Sequence, residues 1–565
     1  MKKRIESVFL SLILAVAAAA AQTDPNVAQK PPMGWNSYDC FGFSVTEAEV
    51  KANADYMAAH LKAYGWEYIV IDFLWYGEGY TNSNWMQSKP PIRIDGYGRM
   101  LPSLALHPSA TDSNGFKPLA DYVHGKGLKF GIHLMRGIPW NAVEQDCPVK
   151  GTELDAKDVY SKSGLCPWWH GMFTLDMNQA GSQEYYDSLI ELYASWGVDF
   201  IKVDDISRGT GGEYHPKEIA AYQAAIRNSG RKMVLSLSPG PADVSNAAFL
   251  SQQANLFRIS SDMWDDWNGW LLPQFRNCAK WSASTGPGHW PDADMLPLGK
   301  ISIRSEAAYA HDQKPRFTRL SRDEQTTMMT LWSIFRSPLM FGGNLPDNDA
   351  FTLSLLTNEE VLAVDQNSSN NRQVSSKSGA VIWGAELPES DERIVALFNT
   401  SQTDPLNVTV KWRDLGAPAS CSVRDLWNRQ ELGIFNNEFS AAVNRHGAGL
   451  YKIKPTASGA TGDAGVKPAP NFTLNRNYPN PFNSQTRITF STFSPAWTRL
   501  TVYDLTGREI AVLQNQFFNP GSYESIWQGA DSRGRSVPSG NYLYRLTVRN
   551  GTETAGKTGE MVLIR

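Results

Sequence analysis

Cysteine is scarce. Five residues among 565 are too few for a disulfide framework, and no CxxC or HExxH spacing offers a metal site. No block of like charge exists: 53 Lys and Arg stand against 57 Asp and Glu, a net charge of −4. That excludes the basic patch a nucleic-acid-binding protein needs. After the N-terminus no uninterrupted apolar run approaches the roughly 18 residues of a membrane span. Charged residues are only 19% and hydrophobic ones 42%, which excludes a largely disordered chain. What the chain has in excess is aromatic: 19 Trp, 21 Tyr and 24 Phe. Aromatic faces commonly bind sugars, and a Trp-rich core would explain the same excess.

Residues 1–21 read as a signal peptide. Lys2, Lys3 and Arg4 supply the basic start, residues 8–21 the apolar run, and Ala19-Ala20-Ala21 the small-residue cleavage site. The expected product is exported, with no transmembrane segment. Cys147 and Cys166 flank one loop; after export they could pair or remain buried thiols.

Between residues 31 and 355 eight short apolar runs alternate with helical segments: 33–37, 68–72, 128–134, 200–205, 233–238, 256–261, 289–296 and 338–343. Val50, Ala54, Met57, Leu61 and Tyr64 have helical spacing behind a Thr46-x-x-Glu49 capping box. Tyr185, Leu189, Leu192 and Trp196 repeat the spacing and stop at Gly197; Ile219, Tyr222 and Ile226 do so before Gly230. Eight strands with helical crossovers predict an α/β protein with a (β/α)8 TIM barrel. From 365 to 454 short alternating runs predict an antiparallel β-sandwich domain. Residues 455–470 form a Gly/Ala/Pro linker, and a second β-rich unit occupies 471–565.

Phe200-Ile201-Lys202-Val203-Asp204-Asp205 carries the sharpest chemical signal. Side chains alternate on a strand, so Lys202 and Asp204 share a face. Charged groups are costly as barrel filler; their natural place is the C-terminal mouth, where barrel enzymes keep catalytic groups. A buried ion pair that merely holds the strand would give the same pattern. Asp262, just past the strand bearing Arg258 and Ser260, offers a second carboxylate. Two carboxylates on two strand ends suit glycosidic cleavage, one attacking the anomeric carbon or activating water, the other protonating the leaving oxygen. Asp292 and Asp294 add acidic groups at the seventh strand, for hydroxyl binding or loop structure.

These residues resemble glycoside hydrolase family 27, the α-galactosidase clan. Pro31-Pro32-Met33-Gly34-Trp35-Asn36-Ser37, Lys202-x-Asp204, Arg258-x-x-x-Asp262 and Trp290-x-Asp292-x-Asp294-Met295-Leu296 follow in the family's order and spacing. The resemblance implies a retaining exo-α-glycosidase working without metal or cofactor on an oligo- or polysaccharide. It implies Asp204 as nucleophile and Asp262 as acid/base. Trp35, Tyr38, Asp72, His133, Lys202, Ser238, Arg258 and Asp294 would bind the sugar. The leading expectation is an α-galactosidase. The same mechanism on another sugar (α-N-acetylgalactosaminidase, β-L-arabinopyranosidase or isomalto-dextranase) and a non-catalytic surface carbohydrate-binding protein are the alternatives.

Several positions depart from the family. Its two consecutive acids on the second strand are Asp72-Phe73, its Tyr after strand three is His133, and its first-loop Trp is Tyr38. Ile206 replaces a Cys, and Ser236-Leu237-Ser238-Pro239 replaces a segment carrying a Glu. They leave the carboxylate pair intact and change the sugar's surroundings. The last unit has motifs of its own: Asn477-Tyr478-Pro479-Asn480-Pro481-Phe482-Asn483, Val502-Tyr503-Asp504-Leu505-Thr506-Gly507-Arg508 and Ser539-Gly540-Asn541-Tyr542. It resembles the Ig-like C-terminal sorting domain of type IX secretion cargo. That implies the type IX machinery as a partner and release or attachment at the outer surface.

Overall fold

The eight apolar runs all become strands. The computed structural model describes residues 23–79, 89–208, 214–304, 314–456, 472–492, 496–519, 521–550 and 553–565. The expected signal peptide and nearly all of the expected linker lie outside the described residues. The chain divides into two units, Met1–Arg372 and Gln373–Arg565.

In the first unit the strands are β1 (Met33–Asn36), β2 (Tyr68–Ile71), β3 (Lys129–Met135), β4 (Phe200–Asp204), β5 (Val234–Leu237), β6 (Leu256–Arg258), β7 (Trp290–Asp292) and β8 (Leu339–Phe341). Each pairs in parallel with the next from β1 to β7, and β8 pairs in parallel with β1. A parallel bridge between Leu296, just past β7, and Phe341 of β8 brings the sheet back on itself. The crossovers carry α1 (Glu47–His60), α2 (Lys117–Gly125), α3 (Ser182–Trp196), α4 (Pro216–Ser229), α5 (Ala247–Gln253), α6 (Leu272–Trp281) and α7 (Arg322–Phe335), with α8 (Ala350–Leu356) and α9 (Glu359–Asn367) after β8. This is the eightfold β/α alternation that the periodicity predicts.

The helix signals work as local chemistry requires. Thr46 and Glu49 form the capping box of α1. Helices α3 and α4 stop at Gly197 and Gly230, both left-handed at φ 89° and 69°, a backbone state glycine enters without steric cost. Helix α7 escaped the periodicity reading because it is buried almost all round, which erases the polar stripe that would mark it.

Inside the barrel, large and small residues interlock. Tyr68 of β2 and Phe200 of β4 pack with tilted rings, centroids 5.5 Å apart. The neighbouring strands supply glycine: a Cβ on Gly34 would stand 2.6 Å from the Tyr68 carbonyl oxygen, and one on Gly131 2.8 Å from the Phe200 Cβ. Tyr68, Phe200, Val70, Val234, Leu256 and Met340 belong to one buried cluster, the floor under the polar mouth.

The second unit is antiparallel β. Strands β9 (Ser369–Lys377), β10 (Ala380–Glu386), β11 (Arg393–Asn399), β12 (Leu406–Lys411), β13 (Ser420–Asp425), β14 (Gln430–Asn436), β15 (Glu438–Val443) and β16 (Ala448–Pro455) form a six-stranded sheet, β9-β10-β11-β16-β13-β14, and a β12–β15 pair around one apolar core. Farther on, β17 (Phe472–Leu474), β18 (Thr486–Thr492), β19 (Ala496–Asp504), β20 (Glu509–Phe518), β21 (Gly521–Trp527), β22 (Gly540–Asn550) and β23 (Glu553–Leu563) make sheets β17-β18-β21 and β20-β19-β22-β23 over their own core. All five cysteines are free and buried, so Cys147 and Cys166 do not pair. Among the described residues no helix is long and apolar enough to cross a membrane.

Gly34→Ala tests the interlock. Overpacking against fixed backbone costs about 1–3 kcal/mol, so a lowered thermal midpoint is expected, and an unchanged one would show that β1 and β2 can separate.

Candidate active site

Side chains two residues apart share a strand face, and the inner face of strands β2 to β6 changes from apolar to polar toward its C-terminal end. Val70 is followed by Asp72, Gly131 by His133, Phe200 by Lys202 and Asp204, Val234 by Ser236 and Ser238, and Leu256 by Arg258. The parallel register sets His133 beside Lys202, Lys202 beside Ser236, and Asp292 beside Arg258. The polar ends therefore meet at one mouth.

Lys202 Nζ lies 2.8 Å from Asp72 Oδ2, which also accepts the Asn36 amide at 2.7 Å. The Asp72 backbone N–H donates to Ser37 Oγ at 2.9 Å. Burial opposes the charge on Asp72, but Lys202 and His133 outweigh it and hold the carboxyl well below the usual range. Asp204 is gripped on both oxygens. Oδ1 accepts the backbone N–H of Asp205 at 2.6 Å; Oδ2 accepts Ser238 Oγ at 3.0 Å and lies 3.3 Å from His133 Nε2. Burial again raises its proton affinity, and the contacts of His133, Lys202 and Asp205 more than reverse it. Asp204 is thus an ionised carboxylate with 17% of its side chain exposed.

Asp262 differs. Its side chain is 56% exposed, with Oδ1 3.3 Å from Arg258 Nη2. The same guanidinium nitrogen lies 2.7 Å from Asp294 Oδ2, which also accepts the Met263 backbone N–H at 2.6 Å. Burial pushes Asp294 up to about 7 against the pull of Arg258, with the charges of Asp262 and Asp292 adding to the rise. Tyr38, half-buried, packs against Trp264 within electrostatic reach of Asp262, Asp72 and Asp204. Among the described residues no group of three or more His, Cys, Asp or Glu is disposed to hold a metal ion.

The mouth thus unites nine of the ten residues singled out from sequence. Trp35 is the exception and a correction. It is fully buried, and its indole N–H donates to the Gly343 carbonyl at 2.8 Å. Asn36 faces Asp72, so strand alternation turns Trp35 away from the mouth. Asp294, only 2% exposed, braces Arg258 and Met263. Sequence reading missed Asn36, although the same alternation marks it. It also missed the aromatic wall beside Asp72: Phe73 meets His133 at 5.5 Å, Trp168 at 5.5 Å and Trp169 at 5.2 Å between ring centroids. Asp39, wholly buried, has carboxylate oxygens without a hydrogen bond among the described residues. Burial, with Asp294 and Asp72 nearby, pushes its proton affinity well up against the pull of Lys202.

A barrel whose mouth joins an ionised, clamped carboxylate to an exposed one defines a glycoside hydrolase. Comparison with known proteins agrees. Residues 170–367 match the family described as alpha galactosidase A, and residues 377–453 match the alpha galactosidase C-terminal beta sandwich domain. The chain is similar to a GH27 β-L-arabinopyranosidase from Geobacillus stearothermophilus: 48% identity, TM-score 0.74, covering 77% of this chain and 98% of that one. An alanine variant of that enzyme, solved with arabinose, gives 49% identity and TM-score 0.73 over 76% and 98%. Alpha-galactosidase 2 of Arabidopsis thaliana is 28% identical over 435 residues, 76% of this chain and 90% of that protein. The chain belongs to glycoside hydrolase family 27 and is of its α-galactosidase-like class.

The Lys202–Asp72 pair yields a pH-dependent prediction. The folded Asp72 carboxyl titrates below its unfolded value, so the pair's contribution is present above about pH 4 and is lost as pH falls through the folded value. Lys202→Met leaves a buried unpaired carboxylate, a loss of about 3–5 kcal/mol at pH 7. In denaturant titrations that deficit should shrink toward pH 5 as Asp72 takes up a proton. A pH-independent deficit would show that the charges do not matter.

Proposed function

We propose that the protein is a retaining exo-glycosidase that releases terminal β-L-arabinopyranosyl groups. Asp204, ionised and braced, attacks C1 as the bond to the leaving oxygen breaks; Asp262, the exposed carboxyl, gives that oxygen its proton. Water then attacks C1 of the glycosyl ester, its proton passes to Asp262, and Asp204 returns as carboxylate. The two environments support this division, since the nucleophile must be charged and the acid/base must reach both leaving group and water.

Phe73 carries the choice of sugar. A β-L-arabinopyranoside has the ring hydroxyls and anomeric bond of an α-D-galactopyranoside, with hydrogen where galactose bears its hydroxymethyl group. Asp72, kept ionised by Lys202, can accept a ring hydroxyl. Beside it, where the family pattern has a second acid, stands Phe73, packed on Trp168 and Trp169, with no acceptor for that hydroxymethyl. The 48% identity to a β-L-arabinopyranosidase supports the same choice. The family descriptions and the Arabidopsis relative favour a second reading, α-D-galactoside hydrolysis.

Nitrophenyl glycosides decide between them. The wild type should prefer β-L-arabinopyranoside over α-D-galactoside by ~10-fold or more in kcat/KM, the discrimination one small substituent permits. Phe73→Asp should raise the galactoside-to-arabinopyranoside ratio, Asp204→Asn should abolish turnover, and NMR should find the first sugar released with its anomeric configuration retained. A wild type preferring galactoside, with a ratio indifferent to Phe73→Asp, would leave the second reading.

The proposal includes export. The basic start and apolar run to Ala21 support a Sec signal, and the motifs around Tyr478–Asn483 support passage by the type IX route to the outer surface. In a host with that machinery, the full chain should appear outside the cell and a chain ending at residue 454 should stay in the periplasm; equal export of both would remove the sorting role.

A further inference from the structure

His133 was expected to hold a sugar hydroxyl, and the geometry points elsewhere. The residue is 1% exposed. Its Nε2 faces Asp204 Oδ2 at 3.3 Å, and its Nδ1 is buried with no hydrogen-bond partner among the described residues. Neither nitrogen can meet a sugar unless the ring moves, and the ring is fixed. Phe73 packs on it at 5.5 Å with planes 74° apart, and the Trp75 indole N–H holds the His133 carbonyl at 2.6 Å.

We infer that His133 is a positioning residue for Asp204, its Nε2–H donating to Oδ2 beside the Ser238 hydroxyl. The inference rests on the nucleophile role proposed for Asp204. An ionised carboxylate can only accept, so the proton must sit on Nε2. With Asp205 N–H on Oδ1 and two donors on Oδ2, the carboxylate plane cannot rotate, and an oxygen lone pair stays aimed at the space above the mouth. When a carboxylate oxygen bonds to C1 and the leaving oxygen departs with the proton of Asp262, His133 keeps its own proton. When water displaces the ester and the electron pair returns to Asp204, the Nε2–H meets the restored charge. The imidazole therefore acts in both steps without touching substrate.

The test uses His133→Phe, His133→Gln and His133→Asn in the full chain, assayed on the aryl glycoside the wild type turns over fastest. Free monosaccharide serves as a competitive inhibitor, and melting curves report folding. A Gln amide nitrogen falls near the imidazole Nε2 and an Asn amide nitrogen near Nδ1. His133→Phe should lose about 10- to 100-fold in kcat/KM, the scale of a misplaced reacting group. Its inhibition constant for the free sugar should stay within about twofold. Gln should recover most of the rate and Asn should not. An inhibition constant weakened in step with kcat/KM would make His133 a sugar ligand; equal losses in all three variants would make it packing only. Either result overturns the inference. Asp204→Asn, run alongside, separates the readings: full turnover there overturns the nucleophile role and this inference together. Inactive Asp204→Asn with an unimpaired His133→Phe overturns only the positioning role.

Discussion

Two buried cations govern the barrel mouth, and the pair between Lys202 and Asp72 is the interaction on which the rest depends. Polar strand ends converge there because one face of every strand must fill the barrel and only its C-terminal edge can stay wet. Asp39, Asp72, Asp204, Asp292 and Asp294 all crowd this space, against Lys202 and Arg258. Lys202 is committed to Asp72 at 2.8 Å and Arg258 to Asp294 at 2.7 Å. The remaining carboxyls cannot all be charged. Burial, incompletely offset, pushes Asp39, Asp292 and Asp294 up, whereas Asp204 stays ionised through the donors aimed at it. Asp204 keeps its charge because its donors outweigh burial, which the contacts of Arg258 and Met263 do not do for Asp294.

Asp204 and Asp262 stand in different surroundings. Asp204 lies deep, with three donors on two oxygens; Asp262 stands in solvent with one contact to Arg258. An attacking group benefits from fixed orientation and from charge that needs no reorganisation. A proton carrier that must serve a leaving group and then water benefits from access. Arg258 touches Asp262 and Asp294 through one nitrogen, so Asp262 is linked to Asp294 through Arg258.

Much of this was legible in the sequence. The eight strands were visible because each is a short apolar run between punctuated segments, and the first helix because Thr46 and Glu49 announce its start. Lys202 and Asp204 were legible through strand alternation alone. The same rule should have excluded Trp35: proximity to Asn36 in a shared motif says nothing about which face a residue takes. The roles of His133 and Ser238 were not legible, since both depend on Asp204, which folding brings to them from another strand. Nor was the aromatic wall, because Phe73 and Trp168 lie on separate loops and no spacing rule connects them.

The wall and Asp204 are one packed unit, and it contains two departures from the family pattern. Phe73 rests its ring against His133, and His133 reaches Asp204. An acid at position 73 would stand against the same imidazole and compete with Asp204 for its proton, as opposite charges or hydrogen-bonding groups do at such range. A tyrosine at position 133, the family's residue, has a single hydroxyl and no second nitrogen for a neighbouring acid to recruit. An apolar residue beside Asp72 is therefore compatible with an imidazole brace, and an acidic one with a phenol. On this account the change that removes an acceptor for a hydroxymethyl group also secures the donor that holds Asp204, and neither substitution can be understood one residue at a time.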